Sequence, residues 1–226
     1  MATAAPLRQF GRNYKDDEFA AYYAGKHDAS LTRRISNYCE RAMMRRSLQR
    51  IARRAAFHSV LDCPSGAGRF LPMLAGFGVS AIAIDTAAEM LQQARRYEGL
   101  FPDSAAFIAA SAFELPLPDK SVDVVMCARL LHHFAESEKR RQVLREFVRV
   151  ARVGVVISYF DAWSLRAWKR RRKVVRAGRV TGRHAITRDQ CNEEAAAAGL
   201  RLLGHNALLR YHTEITSAAF LIAPTS

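Results

Sequence analysis

The stretch Ser59 to Arg69, SVLDCPSGAGR, most constrains what this chain can fold into. A short apolar run, Val60-Leu61, ends in Asp62. A turn of small residues follows, Pro64-Ser65-Gly66-Ala67-Gly68, and Arg69-Phe70-Leu71 then opens a helix-like segment. A buried strand that feeds a glycine turn and then a helix presents backbone N–H groups to a ligand, because glycine has no Cβ to hold the ligand off. Two glycines in a loop are common, so the weight of this turn comes from what stands at fixed distances after it.

After the turn comes a regular alternation. Arg69–Ala75 reads as a helix, Val79–Asp85 as a strand, Thr86–Arg96 as a helix and Ala105–Ser111 as a strand. Val122–Cys127 is a strand rich in β-branched residues. Glu136–Ala151 is a helix with Val143, Leu144, Phe147 and Val148 on one side, and Val153–Phe160 is a fifth strand. Strands that alternate with helices predict an α/β fold, with a mainly parallel sheet and helices on both faces. The pattern then changes. Ala162–Ala177 is a basic helix and Thr187–Ala198 a second helix closed by Gly199. Arg201–Leu209 and Glu214–Ile222 are two strands with a short connection, which makes them antiparallel to each other. Before the turn, residues 13–26 read as a short helix. A long helix runs from Leu31 to Ala55, with Ser30 as its N-cap. Leu31, Ile35, Tyr38 and Ala42 recur at helical spacing, and so do Met44, Leu48, Ile51 and Ala55. Residues 1–56 are accordingly an N-terminal helical segment, 57–226 the core, and 162–186 a basic insertion within it.

The 226 residues are half hydrophobic, which is globular rather than disordered composition. The four cysteines, Cys39, Cys63, Cys127 and Cys191, form no CxxC pair, which argues against a zinc site and a disulfide scaffold. No apolar run reaches the length of a membrane span, and the first residues lack the apolar stretch of a secretory signal, so the expected location is cytoplasmic. The net charge is +14, and two segments carry all of the surplus. Arg33–Arg54 holds eight arginines and one acid, Glu40; Arg166–Arg183 holds nine basic residues and no acid. Such local surfaces suit an anionic partner: phosphate-rich lipid, nucleic acid or an acidic substrate.

Counted from the turn, Asp85 ends the second strand 19 residues after Gly66. A carboxylate there accepts hydrogen bonds from the two ribose hydroxyls of an adenosine ligand. Ser111, Ala112 and Phe113 end the third strand at the same edge, placed to hydrogen-bond and pack against an adenine ring, with Met90 on its other side. Strand four ends in Cys127-Ala128-Arg129-Leu130-Leu131-His132-His133-Phe134. With these motifs in this order, residues 57–160 resemble the class I S-adenosylmethionine-dependent methyltransferases, in the subgroup typified by small-molecule and quinone methyltransferases. The resemblance implies a Rossmann-like three-layer sandwich, its mostly parallel seven-stranded sheet closed by an antiparallel last strand, and S-adenosyl-L-methionine as cofactor. It also implies that Asp62 and Ser65 to Gly68 approach the methionine part. Asp85 and Thr86 would lie at the ribose, and Cys127 and Ala128 at the methionine moiety. The chain departs from the family twice. Pro64 replaces the first glycine, and Ser111 stands where the family usually carries an Asp that reads the adenine amino group.

Several residues are candidates for the acceptor half. His132 or His133 is placed to remove a proton from an acceptor hydroxyl; the alternative is packing or capping. Arg129 orients an anionic substrate or forms an ion pair. Tyr159 and Asp161 end strand five. Trp163 and Trp168 lie in the basic segment, where a helix at an anionic membrane interface is favoured over an RNA contact, since no RNA-binding module is evident. Tyr22 and Tyr23 are candidates for an N-terminal lid, as in similar enzymes, or for core packing of the first helix. The expected function is methyl transfer to oxygen or carbon of a small or lipid-linked acceptor. The alternatives are a non-catalytic protein of the same fold that holds membrane or RNA, and a nucleotide-dependent oxidoreductase. The last is disfavoured because the pair Tyr22-x-x-x-Lys26 precedes the glycine turn, whereas the dehydrogenase pair follows it.

Overall fold

The computed structural model describes residues 31–101, 105–169, 172, 183–207 and 214–224. Seven strands form one sheet: β1 (Ser59–Asp62), β2 (Ser80–Asp85), β3 (Ala105–Ala109), β4 (Val122–Cys127), β5 (Ala151–Phe160), β6 (Leu200–Asn206) and β7 (Ile215–Ile222). Their spatial order is β3-β2-β1-β4-β5-β7-β6. Neighbours from β3 through β5 are parallel, while β7 is antiparallel to both β5 and β6. This is the expected doubly wound sheet with its reversed last strand.

The helices are α1 (Leu31–Ala52), α2 (Leu71–Ala75), α3 (Ala88–Ala94), α4 (Ser137–Val150) and α5 (Arg188–Ala197). Strand residues point alternately to two faces, and two apolar cores result. On one face Met44, Leu48 and Ile51 of α1 and Leu71 and Leu74 of α2 pack with Val60, Val124, Met126 and Val156. On the other, Val143, Leu144 and Phe147 of α4 and Cys191 and Ala195 of α5 pack with Leu61, Val125, Val155, Ile157 and Phe220. β4 is buried along its whole length, as its β-branched run requires. Its one acid, Asp123, accepts the backbone N–H groups of His58 and Ser59 and the guanidinium of Arg152. Gly154 lies so close under β7 that a Cβ would collide with the Phe220 carbonyl and press on Ile51.

Two boundaries shift for local reasons. The helix expected from Thr86 begins at Ala88, because the Asp85 carboxylate takes the Ala87 N–H at 3.0 Å, and it tightens into a 3-10 turn over Arg95–Leu100. The third strand stops at Ala109. Beyond it Ser111 Oγ accepts the Phe113 N–H at 3.2 Å, which turns the chain out of the sheet. Thr187 caps α5 by accepting the Gln190 N–H. The expected helix over 13–26, the Ser30 cap, Tyr22 and Tyr23, and most of the basic helix lie outside the described residues. The described part of the basic segment is helical over 165–169.

Candidate functional site

Chain order reverses between β1 and β4: from β1 the chain winds outward to β2 and β3, then returns to β4 on the opposite side. In an open α/β sheet, the crevice at the carboxyl ends of the strands flanking such a reversal is where ligands bind. Asp62 ends β1, Asp85 ends β2 and Cys127 ends β4, so the expected cofactor residues share this one edge.

The glycine turn is built across the strand ends. Ser65 N–H donates to the Ile84 carbonyl at 2.8 Å, and Gly66 N–H donates to Asp85 Oδ2 at 2.8 Å. Gly66 and Gly68 have φ of 54° and 74°, which glycine adopts without strain. At Gly68 an added Cβ would also press on Ala94 and Leu71 at 2.9 Å, so this glycine seats the turn against α3. Met90 approaches Gly66 over the turn. Pro64 follows a cis peptide bond, and the donors that brace the turn come from Ser65 and Gly66, so its missing N–H costs no contact there.

The three acids at this edge differ. Asp85 is held in orientation by the N–H groups of Gly66 and Ala87. Burial raises its carboxyl, against the pull of those bonds. A carboxylate accepts about four hydrogen bonds, so capacity remains for a ligand's hydroxyls; the residue therefore fits a ribose. Asp62 is wholly buried. Its Oδ2 accepts the Ser65 hydroxyl at 2.9 Å, and its Oδ1 has no hydrogen-bond partner among the described residues. Burial pushes its pKa up to about 7, with the Ser65 bond and Arg69 working the other way. Glu40, reaching in from α1, is 1% exposed and accepts from Arg69 Nη1 at 2.8 Å and Arg129 Nε at 2.9 Å. Burial would raise it, but the two guanidiniums outweigh burial and hold it below the ordinary carboxylate value.

Of the other expected cofactor residues, Ser111, Ala112 and Phe113 form the turn after β3, with Phe113 edge-on to Phe134 at 5.1 Å. Thr86 is exposed beside Asp85, and Cys127 and Ala128 are buried at the β4 end. On the acceptor side, Leu131–His133 form a 3-10 turn after β4. His132 is buried, its ring stacked on Phe160 at 4.0 Å. His133 is half-buried; burial, then Arg183 and His184, lower its pKa. A cavity of about 240 Å³ lined by Arg140, Arg183, His184 and Gln190 opens beside this turn, where His184 N–H donates to the His132 carbonyl at 2.7 Å.

Tyr159 is not brought to this edge. Its ring lies in the core and its hydroxyl meets His205 Nδ1 at 3.1 Å, under β6. Asp161 likewise serves local structure, accepting the Trp163 N–H and pairing with Arg188. Trp163 and Trp168 are 68% and 45% exposed, with Arg172 over the Trp168 ring at 4.4 Å. Arg129 is an ion-pair partner of Glu40. Sequence reasoning missed Glu40 and Arg69 as parts of this edge. The signal was present: Glu40 is the single acid among eight arginines from Arg33 to Arg54.

Comparisons with known proteins agree with this geometry. The sequence profile described as a methyltransferase domain matches residues 61–158. A methyltransferase-like protein of Schizosaccharomyces pombe is 35% identical over 98 residues, 43% of this chain and 37% of that protein. The methyltransferase YcgJ of Bacillus subtilis is 32% identical over 98 residues, 42% of this chain and 37% of the relative. The matched stretch thus spans little more than a third of these curated relatives. Among solved structures, magnesium protoporphyrin IX methyltransferase of Synechocystis PCC 6803, crystallised with S-adenosylhomocysteine, superposes with a TM-score of 0.75 over 96% of this chain and 100% of that one, at 11% identity. With the strand order, the glycine turn and the matched stretch in agreement, residues 61–158 are similar to the methyltransferase domain family, on a fold shared with S-adenosylmethionine-dependent methyltransferases.

Proposed function

We propose that this protein transfers a methyl group from S-adenosyl-L-methionine to oxygen or carbon of a small or lipid-linked acceptor. The observation that carries the reading is Asp85: a carboxylate at the end of β2, aimed by Gly66 and Ala87 N–H groups and retaining acceptor capacity. Bound there, the cofactor supplies a methyl group on a sulfonium, already activated for in-line displacement. The protein's part is then mainly positioning. Asp85 reads the ribose, the turn Ser65–Gly68 backs the methionyl end, and Ser111 and Phe113 border the adenine. Proton removal from the acceptor falls to His133 rather than His132. His133 is partly open, and its lowered pKa keeps it neutral and able to accept a proton at pH 7. His132 is buried against Phe160.

Calorimetric titration with S-adenosylhomocysteine tests the cofactor half. Wild type binds, and Asp85→Ala loses most of its affinity; no binding by wild type, or equal binding by both, refutes the reading. The lipid-linked acceptor is supported by Trp163 and Trp168, exposed in a segment with nine basic residues and no acid. Indole rings beside arginines suit the interface of an anionic membrane. The contact proposed is a peripheral one; among the described residues no helix is long and apolar enough to cross a membrane. The same surface favours the alternative of a non-catalytic binder. That alternative predicts anionic liposome binding that survives Asp85→Ala, with no label passing from methyl-labelled cofactor to any fraction of a cell extract.

A further inference from the structure

The cavity of about 240 Å³ beside the His132–His133 turn is walled by four pieces of chain. Ala167 comes from the helical part of the basic segment, Arg183 and His184 from its return to the sheet, Arg140 from the first turn of α4 and Gln190 from the first turn of α5. The acids on the bordering elements are matched by their own cations. Glu194, buried, accepts from Arg140 Nε at 2.8 Å and Nη2 at 2.6 Å, while Arg140 Nη1 donates to the Phe134 and Ala135 carbonyls. Glu136 pairs with Lys139, Glu138 with Arg145 and Asp161 with Arg188; Asp189 is exposed, and its charge is felt at His205. Arg183 has no such match: among the described residues its side chain makes no ion pair or hydrogen bond. The positive excess registers next door, where burial first, and then Arg183 and His184, lower the His133 pKa.

We propose that this cavity binds the phosphate group of a soluble phosphate ester or of a lipid headgroup, with Arg183, His184 and Gln190 as its donors. A guanidinium carries five N–H donors, an imidazole one or two, and an amide two, of which Gln190 gives one to Glu194. These donors enter from two different elements. A tetrahedral anion has oxygens to meet donors from several directions, whereas the two oxygens of a carboxylate lie in one plane with one fork. A water takes about 30 Å³ of liquid, so the space holds a phosphate with some linking atoms. Ala167 is buried at the cavity, while Trp163 and Trp168 of the same helix are exposed. A headgroup seated here would leave both indoles at the interface of the same bilayer. The site shares no residue with the proposed methyl-donor site, so it stands or falls independently of Asp85.

The test titrates the full chain with inorganic phosphate by calorimetry at fixed ionic strength. The wild type binds, and Arg183→Gln, at an exposed position where folding is not at stake, weakens phosphate by about tenfold. Arg166→Gln removes the same charge from the same segment, at an exposed residue outside the cavity wall, and stays within about twofold of wild type. Failure of the wild type to bind phosphate overturns the site. Equal weakening by both variants also overturns it, because the attraction is then diffuse charge. A second arm uses phosphatidylcholine vesicles with about 20% phosphatidic acid. Sedimentation with these vesicles that free phosphate reverses and Arg183→Gln reduces identifies the headgroup as the source. Phosphate binding without such sedimentation identifies a soluble phosphate ester.

Discussion

The two halves of α1 face the protein in opposite ways. From Met43 onward the helix is an ordinary amphipathic element: Met43, Met44, Leu48 and Ile51 are buried, and Arg45 and Arg46 are exposed. Before it the pattern inverts. Asn37 and Glu40 are buried, while Leu31, Ile35 and Tyr38 are 72%, 55% and 75% exposed. The second half is fastened by apolar burial, which is non-directional and largely insensitive to pH. The first half is fastened by a few charged hydrogen bonds to Arg69 and Arg129, residues that border the glycine turn and the β4 end. One continuous helix thus joins a structural anchor to a polar contact with the proposed cofactor site.

Truncating the anchor gives the largest effect. Leu48→Ala should cost about 2–5 kcal/mol in a denaturant titration, the usual range for a fully buried leucine; a cost below about 1 kcal/mol would show that the second half is not core. Glu40→Gln should cost less, about 1–2 kcal/mol, since Arg129 remains open to water and its pairing is discounted accordingly. The pH dependence sharpens the contrast. The folded-state pKa of Glu40 is lowered, so its contribution is present above the unfolded value of 4.5 and is lost as pH falls through the folded value. On acidification, hydrogen exchange should accelerate over residues 31–41 before residues 43–52, and Glu40→Gln should abolish that difference. Ile35→Ser should change stability by no more than about 0.5 kcal/mol; a larger loss would mean that the exposed face of the first half is covered.

The α/β alternation and the edge residues were legible because each rests on a local rule. Val122–Cys127 is a strand from end to end, since a strand buried on both faces demands a β-branched and apolar run, here interrupted only by the hydrogen-bonded Asp123. Asp85 could be found by counting, because a strand–turn–helix unit places the next strand end at a nearly fixed distance from its glycines. What was not legible depended on contacts distant in sequence. The Glu40–Arg129 pair joins residues 89 apart, and no periodicity announces it. Helical spacing at Leu31, Ile35 and Tyr38 foretold the helix but not which face turns inward. Tyr159 was read by its position at a strand end; its side chain belongs to the face that packs toward α5, where His205 takes its hydroxyl.

The basic segment leaves the sheet and rejoins it at a single point. Ala162 N–H donates to the Ile186 carbonyl and Ile186 N–H to the Phe160 carbonyl, both at 2.9 Å, and Asp161 pairs with Arg188 just beyond. A loop whose ends already touch is thermodynamically cheap to alter: doubling its length adds only about 0.6 kcal/mol of closure entropy. The register of β5 against β7 is set by strand pairing from Gly154–Leu221 to Phe160–Ile215, outside the segment. The architecture therefore leaves the segment between those ends open to changes of length. Under the proposed function, a changed acceptor would be read out by variation in this segment while Asp85 and the glycine turn stay as they are.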